Sequence, residues 1–318
     1  MARYVLGRIG QAVLVLWAAY TLTFAILYLL PSDPMELQLA AAGVQPDSLS
    51  AEQVAAIKHQ FGLDQPIWLQ YWHHLAGLLR GDFGTSLTQQ VPVSQLLADR
   101  IGPTLLLSVS AATVALVLGS ALAYLATFTR LTFLTRLPAL GASFPQFFVA
   151  LFLIQFFSFQ LGWFPATGGL VMPVITIAVL ASSVLAQVLI RSFEETLSQP
   201  YVTTARAKGL SRSAVHLRHA FRNAALPAMT ILGVIVGLTV TSSIVVETVF
   251  TREGIGKLAQ EAVLSQDVPV VLAVVTVAAA VFVLVNLVVD LLYPLLDPRI
   301  SHTRPAAASV ASVEGVAL

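Results

Sequence analysis

Apolar residues in this chain come in long uninterrupted runs rather than in alternation. A helix that crosses a bilayer needs about 20 mostly apolar residues. Six runs qualify: Ile9–Leu30, Thr104–Thr127, Leu137–Leu161, Leu170–Ile190, Ala228–Val249 and Val270–Tyr293. They are too long and too uniform to be core helices of a water-soluble fold. The polar stretches between them are unequal. The longest, Pro31 to Gly102, follows the first run. Within it Ser50 and Gln53 have capping-box spacing, and Val54, Ile57 and Phe61 give a helical stripe closed by Gly62 and Pro66. A second amphipathic helix is predicted from Trp68 to Leu79, ending at Gly81. Its Trp68, Tyr71, Trp72 and Leu75 suit a membrane–water interface. Pro145 and Pro173 are expected to kink or start their helices. The Ala/Ser/Val-rich tail beyond Arg299 has no pattern and is expected to be disordered.

Composition agrees with a membrane protein. Hydrophobic residues make up 57% of the chain and charged ones only 10%, against about 25% charged in an average soluble domain. There is no cysteine, which excludes disulfides and thiolate metal sites. Arg3 and Arg8 resemble the basic start of a secretion signal, but the run after them is long and no small-x-small cleavage site follows closely. It reads as a retained anchor helix. Basic residues set the orientation. With the N-terminus inside, Arg3, Arg8, Arg130, Arg136, Arg191, Arg206, Lys208, Arg212, Arg218, Arg222, Arg299 and Arg304 are cytoplasmic. That is twelve of the 17, leaving Lys58, Arg80, Arg100, Arg252 and Lys257 outside. Six spans then leave both termini in the cytoplasm. The expected organisation is an N-terminal helix (1–30), an extracytoplasmic insertion (31–102), a five-helix core (103–300) with a cytoplasmic loop at 192–227, and the tail (301–318).

That loop is the most informative segment. Between Tyr201 and Pro227 it carries Arg206, Lys208, Arg212, Arg218 and Arg222 and no acid. Gly209 breaks it, and Ser211 is placed to cap a second short helix. On that helix Ala214, Leu217 and Phe221 would share an apolar face. Two uses fit the residues: insertion into a groove of a cytosolic partner, or a surface for anionic lipid. The chain has no energy source of its own. A phosphate-binding loop needs G-x-x-x-x-G-K-[ST]. Gly254-Ile-Gly-Lys257 fails it, with Thr251 five places before Gly256 and Leu258 after the lysine. No row of mid-span acids suggests a proton relay. No catalytic residue is assigned. Gln155, Gln187, Ser243 and Asn286 are polar groups in apolar spans; they either pack helices or line a pathway. Thr239, Thr241 and Ser242 are open to the same two readings. His73 and His74 are adjacent, so on a helix they point apart, and His216 with His219 is only a pair. No metal site is expected, nor a nucleic-acid partner.

Thr203-Thr-Ala-Arg-Ala-Lys-Gly-Leu-Ser211 with Arg222-Asn223 and Leu226-Pro227 resembles the cytoplasmic signature of binding-protein-dependent ABC importers, in its dipeptide/oligopeptide/nickel permease variant. The signature's usual Glu is missing; Thr203 stands in its place. The ordered set Pro31-Ser-Asp-Pro34, Gly62-Leu-Asp-Gln-Pro66, Gly81-Asp-Phe-Gly84, Val246-Glu-Thr-Val-Phe250, Gly254-Ile-Gly256, Asp290-Leu-Leu-Tyr293 and Leu296-Asp-Pro-Arg299 extends the resemblance from Met1 to about Ile300. It is similar to the first of two permease subunits. The resemblance implies an all-α membrane protein of the type I importer permease fold, with six spans and an insertion after the first. It implies a second permease, two cytosolic ATPase subunits or domains that carry ATP and Mg, and an extracytoplasmic binding protein. The membrane would be the inner (plasma) membrane. Residues 203 to 211 would then couple to an ATPase, with Ala205, Ala207 and Gly209 permitting close approach. Arg206, Lys208 and Arg212 would face acids or phosphate headgroups. The implied cargo is a peptide or similar small polar solute, with nickel-chelate or glutathione as alternatives. A self-contained channel or carrier, and a membrane scaffold, are the competing classes.

Overall fold

A computed structural model describes residues 2–29, 65–129 and 131–296, and the described residues are helical almost throughout. The helices are α1 (Ala2–Leu29), α2 (Ile67–Leu79), α3 (Val93–Thr129), α4 (Thr132–Ser143), α5 (Gln146–Leu153, continued as a π-helix over Ile154–Gln160), α6 (Val171–Leu197), α7 (Pro200–Ala207), α8 (Phe221–Val249), α9 (Ile255–Leu264) and α10 (Val268–Leu296). A turn of helix at Arg212–Ala214 and a π-helical stretch at Val215–Ala220 lead into α8. The expected capping box at Ser50, the Val54/Ile57/Phe61 stripe, Pro31–Pro34, the first part of Gly62–Pro66, Asp297–Arg299 and the tail lie outside the described residues.

Among the described residues, four helices are long and apolar enough to cross a membrane: Leu6–Leu27 of α1, α3, α6 and Val268–Val288 of α10. The third expected span is not one straight helix. α4 meets the α5 segment at 98°, and together they make a fifth candidate. The cause is Pro145, which crowds the residue before it out of helical geometry; Phe144 is extended at φ −81°, ψ 127°. In α8 the uninterrupted apolar part is Gly233–Val249. α2 matches its predicted limits to within a residue. α3 begins eleven residues before the expected span, and α6 runs seven past its expected end, so part of the presumed loop 192–227 is helix.

α3, α6 and α8 form the centre. Ala115, Ala123 and Ala126 of α3, Ala178 and Ala181 of α6, and Ala224 and Ala228 of α8 are buried together with Leu185, Leu189 and Phe193. Small side chains let apolar helices approach closely where lipid supplies no hydrophobic drive. α1 packs on α10 at the edge, where Tyr20 and Phe24 meet Val268 and Leu272 and, from α2, Tyr71. Tyr20 Oη donates to the Tyr71 carbonyl at 3.2 Å.

One end of the bundle is fastened by two buried carboxylates. Asp267, 1% exposed, precedes α10. It accepts bonds from the Ser86 hydroxyl (2.6 Å), the Leu87 and Thr88 amides (3.0 and 3.2 Å) and the Thr88 hydroxyl (2.9 Å). This seats the turn between α2 and α3 against the start of α10. Glu247, in the last turn of α8, accepts from Thr104 Oγ1 at 2.7 Å and from the Gly256 amide at 2.7 Å. The Ile255 amide donates in turn to Thr104 Oγ1 at 2.8 Å. Beside it, Glu253 pairs with both Arg100 and Lys257. Hydrogen bonds to a charged group contribute about 1.5–3 kcal/mol each. Asp267→Ala should therefore destabilise the chain by about 3 kcal/mol, because it strands buried donors. The expected result is a lower unfolding temperature in detergent and faster proteolysis between Asp82 and Pro92; unchanged values would contradict the clasp.

Candidate functional site

The opposite end carries the basic segment. Pro200 opens α7, where its fixed φ suits the first helical position and its missing N–H is not needed. The helix stops in a Schellman arrangement: the Leu210 amide donates to the Ala205 carbonyl (3.3 Å) and the Gly209 amide to that of Arg206 (2.9 Å). Gly209 takes φ +82°, a region open to glycine and strained for residues with a Cβ. Among the described residues, none beyond its two chain neighbours comes within 4 Å of where its Cβ would be. The glycine is thus required by the turn and not by internal packing. Leu210 completes the motif by packing on Val202 and Ala205. Ser211 then caps the next helix as expected, its hydroxyl accepting from the Ala214 amide at 3.3 Å. Thr203-Thr-Ala-Arg-Ala-Lys-Gly-Leu-Ser211 therefore spells a helix, its stop and the following start.

α7 is two-faced. Val202 and Ala205 are buried against Val215, while Thr203, Thr204, Arg206, Ala207, Lys208 and Gly209 are exposed. Of the three small residues expected to allow close approach, Ala205 faces the chain's own core; Ala207 and Gly209 face outward. Arg212, Arg218 and Arg222 are also exposed, so the basic side chains share one accessible surface. Asn223, in the first turn of α8, donates to Tyr201 Oη at 2.9 Å and ties α7 to α8. Arg222, Asn223, Leu226 and Pro227 all lie in the first two turns of α8.

The expected separate helix after Ser211 is a correction: the segment runs on into α8 through the π-helix, which adds a residue to the turn and rotates the register. Val215, His216, Ala220 and Ala224 are buried, while Leu217, 57% exposed, and Phe221, 43% exposed, of the expected apolar face remain accessible. His216 was seen in the sequence only as half of a doubtful metal pair. It sits among Tyr124 and Phe128 of α3 and Phe193 of α6, with ring centroids 5.9, 5.5 and 6.2 Å away. Burial holds its pKa below the usual imidazole value. The Arg212 carbonyl, 3.2 Å from Nδ1, opposes this, and the Arg212 charge adds to it.

The four polar span residues are on four different elements. Gln155 is exposed in the π-helical stretch after α5. Gln187 donates to the Pro138 carbonyl of α4 at 3.3 Å. Ser243 is fully buried and bonds the Val240 carbonyl, and Asn286 bonds the Phe282 carbonyl within α10. Among the described residues no hydrogen bond joins any two of them. Ser243 lines a small, mostly apolar cavity with Thr104, Ser108 and Val281. His73 and His74 are exposed on α2, and no three metal-ligand side chains gather among the described residues. Gly254-Ile-Gly256, read in the sequence only as a failed phosphate loop and a family motif, has a packing role. A Cβ on Gly256 would lie 2.3 Å from Ile244 Cα, and one on Gly254 2.3 Å from the Glu247 carboxylate.

Comparison with known proteins places this helical bundle in a family. The family model described as "Binding-protein-dependent transport system inner membrane component" matches residues 115–302, and the corresponding N-terminal model matches residues 1–110. The chain belongs to this family. It is the permease component of a binding-protein-dependent ABC importer, of the peptide/nickel group, and an inner-membrane protein with several spanning helices. Its relatives include the glutathione transport system permease protein GsiC of Salmonella typhimurium strain LT2, 38% identical over 311 residues. The protein of the same name from Escherichia coli strain K12 is 36% identical over the same length. Each comparison covers 95% of this chain and 100% of the relative. A self-contained carrier and a membrane scaffold are thereby set aside, and the family implies ATPase and binding-protein partners for this permease.

Proposed function

We propose that this permease is the force-receiving half of a two-permease gate, and that α7 is its coupling helix. The observation that carries the reading is the two-faced build of α7. Val202 and Ala205 anchor it to the chain, while Thr203, Thr204, Arg206, Ala207, Lys208 and Gly209 stand clear. That outer face suits a groove on a cytosolic ATPase, with the Gly209 turn permitting close approach and Arg206, Lys208 and Arg212 meeting acids. A second, similar permease completes the pathway. ATP and Mg²⁺ are bound and used by the partners, and this chain is not catalytic. Closure of the ATPases moves α7 as a rigid body, and α6 and α8, attached at its two ends, carry the motion inward so that the pathway opens to each side in turn. Ser243, Gln155, Gln187 and Asn286 are pathway candidates, and Ser243 has the support of the adjoining cavity. The cargo is a peptide-sized polar solute; the relatives' printed names favour glutathione within that class.

In this reading six spans cross the inner membrane: α1, α3, the bent α4–α5 unit, α6, α8 and α10. Both termini and the basic end are cytoplasmic, and α2, α9 and the Asp267 clasp belong to the extracytoplasmic region, as the distribution of 12 basic residues against 5 supports. Because the chain lacks cysteine, single cysteines at Gln89, Leu264 and Thr203 test the topology with an impermeant thiol reagent. Gln89 and Leu264 sites should react in intact cells and Thr203 only after permeabilisation. Labelling of Thr203 from outside would reverse the orientation. Gly209→Glu tests the coupling. The turn strain amounts to about 1 kcal/mol, too little to unfold the chain, so the variant should insert normally and yet lose at least about tenfold in uptake through poor ATPase retention or silent hydrolysis. Wild-type uptake by an importer carrying Gly209→Glu would remove the coupling assignment.

A further inference from the structure

His216 sits where the segment that follows α7 meets the ends of α3 and α6. It is 1% exposed, although it lies in a segment whose neighbours Arg212, Ser213, Leu217 and Arg218 face solvent. The π-helix from Val215 to Ala220 is what turns it inward: the extra residue in the turn buries Val215 and His216 and turns Leu217 outward. π-Helical turns carry strain and mark functional positions in helices. Val215 holds α7 through Val202 and Ala205. His216, next along, holds the other side. Its ring meets Tyr124 and Phe128 edge-on at 85° and 80°, and lies nearly parallel to Phe193 at 27°. Arg212 closes the cage from outside, its guanidinium 4.9 Å from the Phe128 ring centre. Consecutive side chains thus grip the coupling helix on one side and the ends of two spans on the other.

The chemistry of the cage selects the uncharged ring. Nδ1 faces the Arg212 carbonyl and Nε2 is buried; the Arg212 and Thr127 backbones favour a protonated ring, and burial outweighs them. A proton added to this ring would place a second positive charge beside Arg212 and near Arg206 of α7. Both are cations, and both oppose it. α3 offers the Tyr124 ring and the Thr127 backbone but no carboxylate. α6 offers only Phe193, since its Arg191, Glu194 and Glu195 are exposed. A desolvated charge with no counterion is costly.

We propose that His216 is a positioning residue for transport: as a neutral ring it keys the coupling helix to the inner ends of α3 and α6, and its protonation at acid cytosolic pH loosens that key. The proposal rests on the reading of α7 as the coupling helix. The sign follows from burial. With the folded-state pKa below that of a free imidazole, the neutral key is complete at neutral pH and is lost only as pH falls through the depressed value.

The test uses the complete importer in proteoliposomes, with its ATPases on the buffered side, glutathione as the probe solute, and uptake per ATP hydrolysed as the readout. His216→Ala should lower that ratio about tenfold while the ATPases remain bound, because the cage is emptied. His216→Phe, a neutral ring of similar shape, should restore most of it. As the buffer is taken down from about pH 7.5, the wild-type ratio should hold through the ordinary imidazole range at about pH 6.5 and fall severalfold only below it, while that of His216→Phe should stay level. Identical pH profiles for wild type and His216→Phe, or an unchanged ratio in His216→Ala, would overturn the proposal. If His216→Ala fails to insert, the comparison of the two pH profiles decides alone. Gly209→Glu, run in parallel, separates the two readings. Wild-type transport by that variant removes the coupling helix itself. An uncoupled Gly209→Glu beside wild-type behaviour of both His216 variants leaves the coupling helix standing and removes only the histidine key.

Discussion

Hydrocarbon leaves no backbone amide or charged side chain unpaired without a large cost, and this constraint decides where the permease keeps its polar groups. The described backbone is helical nearly everywhere that apolar runs occur. Between the ends of the bundle, helices meet through alanine faces, so that contact comes from close approach and dispersion rather than from polar bonds. Charge is confined to the two ends, and each end handles it differently.

At one end the carboxylates are consumed. Asp267 and Glu247 are buried and surrounded by donors from distant parts of the chain, which fixes α3, α8, α9 and α10 relative to one another. Beside them Glu253 forms an ion network with Arg100 and Lys257. At the other end the basic side chains from Arg206 to Arg222 stand in the open on a segment that itself carries no acid, while the turn at Gly209 and the Ser211 cap satisfy the backbone beneath them. The first arrangement suits a rigid frame. The second suits a surface that is rigid within itself and free to receive a partner. α7 is stopped by Gly209 and tied by Asn223 and Val215; a short turn joins it to α6, and a helical turn and the π-helix join it to α8. On the proposed reading, a push on α7 is delivered to the spans rather than absorbed.

The apolar runs made the helices readable, because membrane length is a strong signal, and the Gly209-Leu210-Ser211 punctuation made the stop of α7 and the following helical start readable to the residue. Three things escaped. The bend at Phe144–Pro145 was signalled by the proline, but a proline does not say whether a span kinks or breaks. The π-helix at Val215–Ala220 has no sequence signature, and the shared apolar face of Ala214, Leu217 and Phe221 gave no sign that Val215 and His216 are the buried pair. Glu247 looked like a residue near a helix end. Its partners, Thr104 and Gly256, lie on elements that only the folded chain brings together, though the glycine spacing of Gly254-Ile-Gly256 hinted at a close approach.

The central claim is that this chain conducts but does not drive. It is tested most directly by reconstituting the purified chain in liposomes, alone and then with the second permease, the ATPases and the loaded binding protein. The account predicts neither ATP hydrolysis nor solute accumulation by the chain alone, and both when the partners are added. Accumulation of solute by the isolated chain, with or without ATP, would contradict it.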